Sequence, residues 1–287
     1  MRLRDRTVRR FQRREEITRV SQERLSLQAI HHEAVVKRHA IQQVCPDVWR
    51  RLSGFRITDN GRSSNSKSDF VGERPLLVIL GSLSCPMTSS SMPTLKRLHS
   101  EFGDRVEFVT VNVREAHPGE NIPQPDTLIE KHEHARIFKE RYDPSWTVAV
   151  DDIDGTLHRA LDGKPNAADL MDTKGKLVFR ALWASDERGL RQALRSVSAG
   201  QAPAKGESRA MMAPMARAMG HVNRIMKTAG PQAERDLLMY GTPMAITGKF
   251  ATLFNPLSQD WGGVAAVTTM SVSMVAAVVL AIGVAVL

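Results

Sequence analysis

The chain has two cysteines, Cys45 and Cys85, among 287 residues. That leaves no disulfide framework and no cysteine-rich zinc site, and it makes a reducing compartment the natural home. There is no CxxC either, because Ser82 and Thr88 occupy the positions three away from Cys85. A dithiol cycle within one motif is excluded, and an oxidised Cys85 needs an external thiol or the distant Cys45 to resolve it. The basic N-terminus, MRLRDRTVRRFQRREE, lacks an apolar run behind it and does not read as a secretory signal. No interleaved aromatics accompany that charge, so nucleic acid is not the expected partner in spite of a formal charge of +9. The last absence is of charge itself. Residues 264 to 287 carry no Asp, Glu, Lys or Arg, and about 20 apolar residues suffice to cross a bilayer as a helix.

What is present divides into five parts. Residues 1–57 form a basic extension with a broken helical stripe, and 58–69, including TDNGRSSNSKSD, have nothing to bury and read as a linker. Residues 70–200 alternate strand and helix patterns. PLLVIL is a buried strand, Met92, Leu95, Leu98 and Phe102 recur at helical spacing, and VEFVTVNV is a second strand. A second helix carries Leu128, Ala135, Phe138 and Tyr142, and WTVAV follows as a third parallel strand. ADLMD and KLVFRALW flank Thr173, Lys174 and Gly175 as a hairpin, and a last helix carries Leu190, Leu194 and Val197. The fold class is therefore α/β, a thioredoxin-like mixed sheet flanked by helices. Residues 201–263, basic and Met-rich, suit either an amphipathic connector at a membrane surface or a helical cap on the core. Residues 264–287 are the candidate transmembrane helix.

Chemistry centres on GSLSCP, which follows the first strand and opens the first helix, with Pro86 at a favourable first helical position. Cys85 at a helix N-terminus faces orphan N–H groups and the positive end of the macrodipole, which favour a thiolate and are expected to lower the thiol below its usual pKa of about 8.5. The bland alternative is an ordinary buried cysteine. The second strand ends in NVREAHPGE, which puts Glu115 and His117 at the carboxyl edge of the sheet, where α/β folds place their sites. A histidine there can serve as acid or base near neutral pH. His132 and His134, on the second helix, read chiefly as surface or packing residues, with His134 kept as a candidate substrate contact.

Together these motifs resemble the iodothyronine deiodinase family over residues 74–199. GSLSCP is similar to that family's active-site turn, with Cys85 where the animal enzymes carry selenocysteine. REAHPGE resembles its EAHP segment, and DDIDGTLHRAL its later acidic stretch. The resemblance implies a thiol-dependent reductase in which Cys85 attacks a halogenated aromatic or related soft electrophile, while Glu115 and His117 serve proton transfer and Ser84 and His134 contact substrate. It implies no cofactor or metal, only an external thiol reductant. Two departures touch the substrate site: Pro125 stands where the family has the histidine of IPQH, and Ala167 and Ala168 replace a Glu-Arg pair. The uncharged tail predicts a single-pass C-terminal anchor, with the domain facing the cytoplasm by the positive-inside rule. A homodimer is compatible with all of this. Two other functions are open: a peroxiredoxin-like thiol peroxidase, for which Ser82 matches but Val78 does not, and a non-catalytic redoxin-like binding or sensor module at the membrane.

Overall fold

Two short apolar runs, interrupted only by Thr110, become the centre of the sheet, since strands buried on both faces need no alternation. In the computed structural model, which describes residues 57–59, 62–64, 74–161 and 164–286, these are β3 (Leu76–Gly81) and β4 (Glu107–Asn112), parallel and in register from Leu76↔Glu107 to Gly81↔Asn112. Apart from Ile57, the basic extension 1–57 and Cys45 lie outside the described residues.

The order along the chain is β1 (Ile57–Asp59), β2 (Arg62–Ser64), β3, α1 (Pro86–Phe102), β4, α2 (Leu128–Tyr142), β5 (Thr147–Val150) and α3 (Thr156–Ala160). It continues with β6 (Ala168–Met171), β7 (Leu177–Ala181), α4 (Glu187–Ser198), β8 (Glu207–Ser208), α5 (Met212–Ala229), α6 (Pro231–Tyr240), α7 (Thr242–Ala251) and α8 (Gln259–Val286). The strands form one sheet in the order β2-β1-β5-β4-β3-β6-β7-β8. β3, β4 and β5 are parallel, β6 runs antiparallel to β3, and β6 and β7 form the expected hairpin. Two βαβ units followed by a hairpin and a helix make this the expected thioredoxin-like mixed sheet.

Period two divides the core. Leu77 and Ile79 of β3 point into a layer with Leu95, Leu98, Phe138, Leu190 and Leu194 from α1, α2 and α4. Leu76, Val78 and Leu80 point the other way, onto Leu157 and Leu161 at α3. Each such fully buried leucine contributes about 1.5–3 kcal/mol relative to exposure.

Two local readings differ from expectation, and a third stretch takes one of the two forms left open for it. Leu128 is half exposed and lies off the α2 stripe. It sits in the first turn, immediately after the Thr127–Glu130 capping box that starts the helix, where the chain has not yet reached the core. Part of the stretch expected as a linker is the antiparallel pair β1–β2, with β1 placed beside β5. The two residues between those strands are Asn60 and Gly61, a pair favoured in tight hairpins. Residues 201–263 hold β8 and the helices α5 to α7, and α5 packs along α1 with Ala218, Val222, Ile225 and Met226 buried in the same core layer.

Candidate active site around Cys85

The carboxyl ends of β3 and β4 present two loops side by side, and hydroxyl groups tie them together. Ser84 donates both its backbone N–H (2.8 Å) and its Oγ–H (2.6 Å) to Glu115 Oε2. The other carboxylate oxygen, Oε1, is paired with His134 Nδ1 from α2 at 2.9 Å. Ser84 Oγ in turn accepts from the backbone N–H of His117 at 3.1 Å. The Glu115 side chain is wholly buried, a position a carboxylate holds only with its oxygens satisfied. A second bridge lies below: Ala116 N–H donates to Ser82 Oγ, and Ser82 N–H donates to Thr88 Oγ1. Asn166, just before β6, donates to the Leu80 carbonyl at 3.2 Å and so fastens this edge to the hairpin side.

Of the residues singled out from sequence, Ser84, Glu115 and His134 thus form one hydrogen-bonded unit. His134 is buried inside it rather than at the surface. His117 joins only through its backbone. Its ring is half-buried and, among the described residues, makes no hydrogen bond, and burial pushes its pKa below the usual histidine range. Pro125 is buried in the loop before α2, and Ala167 and Ala168 are buried as well, so neither departure leaves a polar group at the site.

Cys85 is the N-cap of α1, with extended backbone and Pro86 behind it, as the motif predicts. Its thiol does not behave as the motif predicts. Cys85 is 2% exposed. Burial pushes its pKa up, the Thr88 and Met87 N–H groups and the Thr88 hydroxyl oppose this, and the Glu115 charge adds to it. The helix N-terminus does aim donors at the sulfur, but desolvation of the thiolate outweighs them. The resting side chain is the thiol, and the expected lowering is corrected.

The acidic stretch DDIDGTLHRAL has a structural task. The wholly buried Asp151 accepts from the N–H groups of Asp152, Leu157 and His158 and holds the start of α3. Lys131, buried on α2, donates Nζ to the Asp152 carbonyl at 2.6 Å. Ser82 and Thr88 entered the sequence reading only by their spacing from Cys85 and, for Ser82, by its match to a peroxidase motif, while Asn166 and Lys131 were passed over. The signal for the first two was the density of hydroxyl residues in SLSCPMTSSS, too polar for a solvent-facing helix start to need. A surface hollow of about 490 Å³ lined by Lys96, His99 and Trp146 lies at the far end of α1 from Cys85.

The family model described as iodothyronine deiodinase matches residues 10–166 of this chain. That match begins and ends earlier than the resemblance read from the motifs, and it contains Cys85, Glu115, His117 and His134. A type II iodothyronine deiodinase from Neoceratodus forsteri is 35% identical over 78 residues, covering 27% of this chain and 29% of the relative. The type II iodothyronine deiodinase of Homo sapiens is 32% identical over 107 residues, covering 32% of this chain and 39% of the relative. The chain thus matches well under half the length of these curated relatives. Among solved structures, a thioredoxin-like protein in its oxidised form aligns with a TM-score of 0.39 at 20% identity, over 48% of this chain and 87% of that one.

Proposed function

The chain belongs to the iodothyronine deiodinase family, and from that premise we propose that it is a thiol-dependent reductase whose Cys85 sulfur attacks the halogen of a halogenated aromatic, or a related soft electrophile. The observation that carries this reading is the convergence on one sheet edge of Cys85, at the head of α1, with the buried Ser84–Glu115–His134 unit. In the reaction the S–X bond forms as the C–X bond breaks, and the electron pair left on carbon takes up a proton. An external thiol then displaces halide from sulfur to give a mixed disulfide, and a second thiol restores Cys85 and leaves as the disulfide. The balance is one aryl halide and two thiols to arene, disulfide and hydrogen halide. Glu115 and His134 hold the Ser84 turn in place, while the half-buried His117 ring, whose pKa burial pushes down, is the candidate base.

The second reading, a non-catalytic redoxin-like module, is favoured by the near-complete burial of Cys85. The deciding experiment is thiol-dependent iodide release from iodinated phenols by the full-length protein, beside a Cys85→Ser variant. Release that depends on Cys85 supports the reductase. Release unaffected by the substitution, or none in either protein while peroxide is consumed, sinks it. Among the described residues one helix, within Gln259–Ile282, is long and apolar enough to cross a membrane, and only 6% of its most apolar stretch is buried within the protein. We assign it as a C-terminal anchor with the Cys85 domain on the cytoplasmic side, in keeping with the basic residues that precede it.

A further inference from the structure

One turn below Cys85 lies a second polar cluster that the reaction above leaves unused. Ser89 on α1 is buried, and its Oγ is 2.8 Å from Nδ1 of His221 on α5, also buried. His221 Nε2 is 2.7 Å from Oδ1 of Asp260, in the first turn of α8. Arg224 donates Nη2 to the same Ser89 Oγ at 3.1 Å.

The direction of the chain is set from its outer end. A carboxylate only accepts, so Asp260 takes the His221 Nε2–H; in the neutral ring Nδ1 is then the acceptor and Ser89 donates to it, while the Ser89 oxygen accepts from Arg224. A proton added at Nδ1 reverses the Ser89 bond and turns the Ser89 hydrogen elsewhere. Burial pushes the phenol of Tyr142 on α2 up, and Ser89 opposes this.

The cluster is held by backbone contact. A Cβ on Gly220 of α5 would run into the Gln259 carbonyl, and one on Gly263 of α8 would run into the Ala216 carbonyl and the Gly220 amide. The two helices therefore touch at the height of His221 and Asp260. Asp260 on α8 faces His221 directly, Arg224 of its own helix meets it through Ser89, and the Asp260 charge reaches Arg97 on α1. From α7, Gly248 lies against Val222. Asp260 is 22% exposed, which opens the outer end to solvent.

We propose that Ser89, His221 and Asp260 form a proton relay for the reaction at Cys85, with His221 the positioning residue that holds the proton between sulfur and carbon. The proposal rests on the thiol-reductase reading. In each turnover the Cys85 proton leaves as the S–X bond forms, passes by Ser89, one turn along α1 with its N–H on the Cys85 carbonyl, to His221, and returns to the aryl carbon as the C–X bond breaks. Asp260 balances the charge meanwhile, and nothing is consumed. His221 and Asp260 lie beyond the part of the chain matched to the deiodinase family.

The test follows full-length protein in detergent, with Cys45→Ser as parent, by single-turnover iodide release from an iodinated phenol and by iodoacetamide alkylation of Cys85, each across pH. Asp260→Asn keeps an acceptor for His221 but removes the charge. It is expected to move a histidine-range inflection to lower pH in both profiles, with the melting temperature held. His221→Gln is expected to erase that inflection and slow single-turnover release by about 10-fold or more, at or below the usual range for acid–base groups. Variant profiles that superimpose on the parent, or a parent with no such inflection, overturn the relay. A parent that alkylates at Cys85 yet releases no iodide overturns the reductase reading instead, and the relay is then decided by the alkylation profiles alone. Should His221→Gln fail to fold, Asp260→Asn decides.

Discussion

Glu115 offers the sharpest test of how the Cys85 turn is built. Its side chain is wholly buried and takes three hydrogen bonds, two from Ser84 and one with His134. Glu115→Ala leaves the Ser84 N–H, the Ser84 hydroxyl and His134 Nδ1 without their acceptor inside the protein. Each orphaned buried group costs about 1–3 kcal/mol, but the three share one cavity and do not add, so the expected loss is about 3–5 kcal/mol, in line with removing one partner of a buried charged pair. At about 2–4 °C per kcal/mol for a domain of this size, the melting temperature should fall by roughly 6–20 °C. Glu115→Gln separates structure from charge. Its amide oxygen still accepts both Ser84 donors, and its NH₂ meets His134 once that ring carries its hydrogen on Nε2, so the melting temperature should fall by only a few degrees. The negative charge that opposes the Cys85 thiolate is gone, so Cys85 alkylation should extend to lower pH than in the parent. Thermal melts by circular dichroism and iodoacetamide kinetics in a Cys45→Ser background measure both. An Ala variant melting within a degree or two of the parent, or a Gln variant whose alkylation moves to higher pH, would refute the reasoning.

Cys85 itself should alkylate with an apparent midpoint above that of a free thiol, about 8.5, because burial dominates its environment; a midpoint below it would restore the helix-dipole expectation. Since its native pKa is raised, the stability linked to Cys85 is present at neutral pH and is lost as pH rises past the free-thiol range, which alkaline melts of the parent and Cys85→Ser should separate. Asp151→Ala removes an acceptor from three N–H groups at the start of α3 and should cost about 1–3 kcal/mol, while Asp151→Asn, which keeps an oxygen for two of them, should recover part of it; an Ala variant melting with the parent would show that the cap is idle. Deleting residues 264–287 should move the protein from the membrane pellet to the supernatant after ultracentrifugation, and a truncated protein still in the pellet would show that the anchor lies elsewhere.

The fold was legible because its signals are local. The runs around Val78 and Val109 admit no solvent-facing strand, the stripe Met92, Leu95, Leu98, Phe102 has helical spacing, and Gly175 adopts φ 76° in the β6–β7 turn. Cys85 and Glu115 were legible for a related reason: both follow strands, and strand ends in such sheets face one edge. The Cys85 pKa was not. A motif shows which donors surround a sulfur, whereas desolvation depends on everything packed over it. His134 was half-read for the same reason, since helical position alone does not say that a buried carboxylate from β4 waits for it. Ser89, His221 and Asp260 come from three helices spread over more than half of the chain, and no spacing rule connects them.

The glycine contact between α5 and α8 has a mechanical consequence. A membrane anchor is usually joined to its domain by slack chain, which lets the domain tumble over the lipid. Here the last bend before the span is closed by backbone pressed on backbone at Gly220 and Gly263, and α8 runs on without interruption from Gln259 to Val286. From Gly263 to Ile282 it rises by roughly 28 Å at 1.5 Å per residue, close to the thickness of a hydrocarbon core. As the span proposed above, α8 would act as a stalk rather than a leash: its tilt in a bilayer would fix the tilt of the sheet, and with it the height and heading of the Cys85 turn.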